Sequence, residues 1–220
     1  IGFPDPTTPL PVWYHVHYAS NGSGGYTAVN TIGYRRWTDT GSVDDPATWG
    51  PFKDYTPPDG IRTATQGDLA TGPKGVFALY FPQQAGASKC GAVPEVVRYD
   101  PVSDTWGSPV PIDANPHTDL STCLYGDGIG PDPMLITEDG QGVLHVVYYF
   151  DSGNQATDNT PPQGVLYTVS TDGGQTFAPP VSIAPHGTQW GQVHLAANDN
   201  SQAVVAYQAP NSANNFEVDA

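Results

Sequence analysis

Ser170-Thr171-Asp172-Gly173-Gly174-Gln175-Thr176-Phe177 lies between an apolar run, 164–169, and a Pro-containing extended run, 178–183. It reads as a tight β-turn. Asp172 can accept backbone N–H groups across the turn, Gly173 and Gly174 supply positive φ, and Phe177 folds back as an apolar plug. The chain repeats the arrangement. Ser42-Val43-Asp44-Asp45-Pro46-Ala47-Thr48-Trp49 places Ser, Asp, Thr and an aromatic residue at the same offsets, and Asp100 to Trp106 keeps the turn and the terminal aromatic without the Ser-x-Asp spacing.

Around these turns the same units recur: strand, short turn, strand, long loop, strand, Asp-bearing turn, strand. The runs 12–18 (VWYHVHY), 76–81 (VFALYF), 143–150 (VLHVVYYF) and 203–209 answer one another, and Val12, Val76, Val143 and Val204 are 64, 67 and 61 residues apart. A β-repeat of that period indicates propeller blades, each needing neighbours to bury its two apolar faces. Residues 1–11 hold four prolines and form an extended arm unsuited to a central strand; blades follow at about 12–58, 62–113, 132–184 and 190–220. The expected fold is all-β: a β-propeller, or part of one, of about four four-stranded antiparallel blades. The arm could close a four-bladed ring, or the chain is a piece of a larger propeller whose end faces a partner chain or further blades cover; the second reading is preferred.

Ser170, Asp172 and Phe177 match the Asp-box (BNR) motif, S-x-D-x-G-x-x-[W/F], and Ser42, Asp44 and Trp49 match it with Pro46 in place of Gly. The chain thus resembles the sialidase-like Asp-box propellers, while Tyr99-Asp100-Pro101 to Thr105-Trp106 is more similar to a kelch turn. The resemblance implies a structural role for the boxes, on turns away from the ligand face. Sialidase activity is not implied. Only Arg35, Arg36, Arg62 and Arg98 are present to clamp a carboxylate, and the family's Arg-Ile-Pro segment is missing.

Composition narrows the function. Lys+Arg 7 against Asp+Glu 22 gives a net charge of −15, which disfavours nucleic acid and anionic membranes. No apolar run approaches membrane-spanning length. The chain opens at Ile1 without a leader, as a mature or trimmed product would. Cys90 and Cys123, with few lysines, fit one disulfide in a secreted, extracellular protein; two free thiols are the alternative.

In a four-stranded meander the short turns share one end and the long loops the other. Binding residues gather on long loops. Arg62, Asp68, Trp190 and His194 are placed around the mouth of the central channel, with Tyr55 and Tyr125 as further stacking or hydrogen-bonding groups. Cys90 and Cys123 also fall on this end. Asp127 and Asp132, with Asp113 and Asp119, offer oxygen ligands for Ca²⁺, a solvated acidic loop being the simpler reading. His15 and His17 share a strand face and His145 answers them, but hydrogen-bonding histidines are favoured over a zinc site. The resulting expectation is a secreted, non-enzymatic module that recognises glycan or protein through its long loops. The alternative is a glycoside hydrolase or polysaccharide lyase with its site at the channel mouth.

Overall fold

The computed structural model of the chain describes residues 12–20, 26–37, 41–42, 44–58, 67–80, 94–113, 134–150, 164–184, 193–210 and 216–219. They form an all-β fold of four antiparallel sheets, each a meander in chain order. The first sheet holds β1 (Val12–Ser20), β2 (Tyr26–Arg36) and β3 (Lys53–Tyr55). The second holds β4 (Asp68–Gly72), β5 (Gly75–Tyr80) and β6 (Glu95–Asp100), with β7 (Thr105–Trp106) and β8 (Val110–Pro111) both paired to β6. The third runs β9 (Met134–Glu138), β10 (Leu144–Phe150), β11 (Gly164–Ser170) and β12 (Val181–Ala184). The fourth comprises β13 (Val193–Ala197), β14 (Ala203–Pro210) and β15 (Phe216–Asp219).

The run 107–112, read from the sequence as an outer strand, pairs with β6 only through β8. Pro109 and Pro111 cannot donate to a ladder, which limits pairing on this edge.

Alternation along the strands sorts side chains between neighbouring sheets. On β5, Val76, Ala78 and Tyr80 join Tyr34, Val97, Tyr99 and Trp106 in the core between the first and second sheets. Phe77 and Leu79 face the other way, into a core with Ile112 of their own unit and Met134, Ile136, Leu144, Val146 and Tyr148 of the next. Val147 and Val165 of the third sheet then pack with Val193, Leu195, Val205 and Tyr207 of the fourth. Because both faces of β5 and β10 are covered, their sequences are near-continuous apolar runs rather than half-polar ones. The sheets therefore stack face to face in chain order. Tyr80, Tyr148 and Tyr207 hold matching places on the second strand of their sheets, each facing the preceding sheet.

Polar staples follow the same order. Arg36 Nη1 donates to Pro101 O at 2.8 Å, Lys53 pairs with Asp104, and Tyr34 Oη donates to Asp104 O at 3.3 Å. Lys74 Nζ donates to Thr171 O at 2.7 Å, and Gln141 Nε2 to Asp199 O at 3.0 Å. In a chain this acidic, three of the described cations, Arg36, Lys53 and Lys74, each join one sheet to a turn of the next.

Candidate functional site

The meanders give the molecule two ends. At one lie the β4–β5, β9–β10 and β13–β14 turns and the turns that follow β6 and β11. At the other, inner strands begin and second strands finish, at Asp68, Tyr80, Met134, Phe150, Val193 and Pro210.

The short-turn end is closed on itself. In the 170–177 turn, Asp172 Oδ1 accepts from Ser170 Oγ (2.8 Å), Gln175 N (3.0 Å) and Thr176 N (3.0 Å), and Oδ2 accepts from Thr176 Oγ1 (2.6 Å). Ser170 Oγ in turn accepts from Gly174 N at 2.9 Å. Gly173 and Gly174 have φ of 76° and 81°, and a Cβ at Gly174 would stand 3.3 Å from Leu144 and Phe77. Ala178 N closes the turn on Val169 O, and Phe177 packs onto the core between the second and third sheets. The Thr176 hydroxyl and amide, then Ser170 and the Gln175 amide, hold the Asp172 carboxyl far below the usual carboxylate range.

The other two turns diverge in instructive ways. At 42–49, Pro46 occupies the place of Gly174. Its ring fixes φ near −65°, so the left-handed path is closed. A 3-10 turn over Pro46–Thr48 forms instead, and Asp45, not Asp44, caps it by accepting from Ala47 N at 2.9 Å. The turn after β6 closes as the 170–177 turn does, with Gly107 N on Arg98 O beside Ala178 N on Val169 O, nine residues in each case. Trp106 there takes the place of Phe177 and meets Tyr34 edge to face at 5.6 Å. Asp104, at φ 54°, accepts from Tyr99 Oη. Burial opposes the ionised form, but Lys53 and Tyr99 together keep the Asp104 carboxyl below its ordinary range.

A polar chain that sequence reasoning did not assemble lies beside these turns. Asp139 Oδ2 is 3.2 Å from His145 Nε2, and His145 Nδ1 is 2.6 Å from Tyr167 Oη. An ionised carboxylate only accepts, so Nε2–H donates to Asp139, and in the neutral ring Nδ1 then accepts from Tyr167. Asp139 Oδ1 also takes the amides of Gln141 (2.9 Å) and Val143 (2.8 Å). Burial disfavours its charge, yet the Val143 amide, the Ser201 hydroxyl and His145 lower its pKa overall. Burial, then the Asp139 charge, raises Tyr167. With both ring nitrogens engaged, His145 is a hydrogen-bonding histidine, and among the described residues no cluster of three potential metal ligands occurs.

At the long-loop end the structure places two of the sequence-derived residues. Asp68 opens β4 and reaches across to the third sheet, with Oδ2 accepting from Ile136 N at 2.9 Å and Oδ1 from Leu69 N. Burial raises its carboxyl pKa against the pull of those two amides. His194 is exposed on β13 and pairs with Ala206. With the three tyrosines in register, Asp68, Leu135 and His194 occupy equivalent positions on β4, β9 and β13. Tyr55 is instead drawn to the first interface, with Oη donating to Gly107 O at 3.3 Å. Arg62, Tyr125, Trp190, Cys90, Cys123, Asp127 and Asp132 lie outside the described residues, as do arm 1–11 and the side chains of His15 and His17.

Comparison with known proteins adds the fold alone. No protein-family model and no curated protein matches the chain. A crystal structure of a protein of unknown function from Dyadobacter fermentans DSM 18053 superposes with a TM-score of 0.52 at 14% identity, over 94% of this chain and 55% of that one. The chain thus spans about half the length of that structure.

Asp172 gives a first test. It is exposed, so an Asp172→Ala change frees amides that water can reach. The expected loss is about 1 kcal/mol, read as a lower urea midpoint, with ligand affinity unchanged. Its folded-state pKa is depressed, so its contribution is present above the unfolded carboxylate range and fades as pH falls toward the folded value. The variant should accordingly lose stability less steeply than the parent in acid. Affinity lost at unchanged stability would move Asp172 from the frame to the binding site.

Proposed function

We propose that the chain is part of a sialidase-like Asp-box β-propeller, secreted, that acts as a non-enzymatic recognition module for glycan or protein at its long-loop end. One observation supports this above others. The main charged groups of the short-turn end serve the frame: Asp172 and Asp139 are bonded within their own turns, Asp104 accepts from Tyr99, and Lys74 and Arg36 donate to turns of the next sheet. The ligand is therefore assigned to the opposite end, where the sequence reading puts Arg62, Tyr125 and Trp190 and where Asp68 and the exposed His194 lie. Aromatic and amide-rich loops of this kind suit sugar faces or a protein surface, and the net charge of −15 argues against an anionic ligand.

A glycan array read beside a turnover assay on the bound sugars tests the proposal. Binding without bond cleavage is expected, and Trp190→Ala should weaken it at least tenfold. One observation favours the alternative of a glycoside hydrolase or lyase: burial raises the Asp68 carboxyl, as a proton donor requires. Cleavage abolished by Asp68→Asn would decide for the enzyme.

A further inference from the structure

Among the described residues, the second and third sheets are covered on both faces, whereas the fourth is covered on one. Equivalent residues make the contrast direct. Phe77, His145 and Val204 each stand three positions before Tyr80, Tyr148 and Tyr207, on the face turned toward the following sheet. Across the ladder they pair with Ala70, Thr137 and Ala196. Phe77 and His145 are 0% and 3% exposed beneath that sheet, while Val204 is 56% exposed. His194 and Ala196 beside it are exposed as well. In a chain of net charge −15, this strip of His194, Ala196, Val204 and Ala206 carries no carboxylate. A sheet face without carboxylates that exposes Val204 beside small residues is suited to packing rather than to solvation.

We infer that the outer face of the fourth sheet is an interface, and that its occupant is a further antiparallel sheet of the same array, carried by sequence outside these 220 residues. The inference rests on the array part of the proposed function and not on its ligand. The occupant follows from two observations. Every covered sheet face in the described core is covered by the sheet adjacent to it in chain order, and the solved structure with a similar fold matches 94% of this chain over only 55% of its own length.

The experiment compares one substitution in two lengths of the protein. The intact mass of the protein isolated at native length is measured first, against 23.3 kDa for the 220 residues. Val204→Glu and Val102→Glu are then made in both lengths, Val102 being a 94% exposed turn residue. The expected mass exceeds 23.3 kDa for a monomer by light scattering. Val204→Glu should lower the thermal midpoint of the native-length protein by about 5 °C or more, because a carboxylate is buried unpaired, and that of the 220-residue chain by about 1 °C or less. Val102→Glu should change neither. If Val204→Glu prevents folding at native length, Val204→Thr supplies the same comparison with a smaller shift. A mass of 23.3 kDa, equal shifts in both lengths, or a dimer that Val204→Glu dissociates would each overturn the inference. No readout involves ligand, so this result and that of the glycan array are independent.

Discussion

Phe77→Ala is expected to destabilise the protein by about 3–5 kcal/mol, the usual range for truncating a fully buried aromatic side chain. Phe77 is 0% exposed and sits in the core that joins the second sheet to the third, among Leu79, Val96, Met134, Leu144 and Leu166. Its ring edge lies where a Cβ on Gly174 would come within 3.3 Å, so the 170–177 turn closes directly over it. Arg98 Cζ stands 5.9 Å from the ring centroid on another side. Removal of the ring leaves a cavity walled by two sheets and a turn with positive-φ glycines, none of which can collapse cheaply. Against a total stability of roughly 5–15 kcal/mol this is a large fraction, and a domain of this size should lose on the order of 10 °C in melting midpoint. Phe77→Leu, which keeps most of the volume, should cost about a third as much. A loss below about 1 kcal/mol for the alanine variant would mean that the second and third sheets do not pack through this cluster.

The same residue shows what was legible in the sequence. Phe77 belongs to the run VFALYF, whose unbroken apolarity announces a strand buried on both faces, and the spacing of such runs announced stacked repeats. Gly173 and Gly174 announced the left-handed turn, because few other residues adopt φ near 80°. Pro46 was equally visible, and its fixed φ is the reason that Asp45 rather than Asp44 caps the 42–49 turn; the motif match hid a conflict that backbone geometry exposes. The Asp139–His145–Tyr167 chain was out of reach. It depends on cross-strand register, which sets His145 opposite Val169 and so diagonal to Tyr167, and no spacing in the sequence fixes that register. The Asp139-Gly140 turn next to a histidine at an alternating position was the available signal. The binding end is the least legible part, since its residues come from long loops between strands, where neither periodicity nor turn chemistry constrains placement.

Asp139→Ala is the second large expectation, with a loss of about 3 kcal/mol. Asp139 is 2% exposed and accepts from the Gln141 and Val143 amides and from His145. Alanine strands these donors where water reaches them poorly, and leaving buried donors unpaired is the costly side of hydrogen bonding. Gln141 also donates to Asp199 O, so the loosened turn should weaken the contact with the fourth sheet. The charge state adds a pH signature. Because the folded-state pKa of Asp139 lies below its ordinary value, its contribution is present at neutral pH and is lost as pH falls through that lowered value. The alanine variant should therefore show a flatter decline in acid than the parent. Asp139→Asn separates geometry from charge. The amide keeps an acceptor for the turn N–H groups but turns a donor toward His145, so Nε2 must accept, Nδ1–H must donate to Tyr167 Oη, and the tyrosine proton must find a new acceptor. The imidazole nitrogen shifts, read by NMR, should exchange tautomer while the turn survives at a cost smaller than that of alanine. An unchanged tautomer in the asparagine variant, or equal costs for the two, would mean that Asp139 holds the turn but does not orient His145.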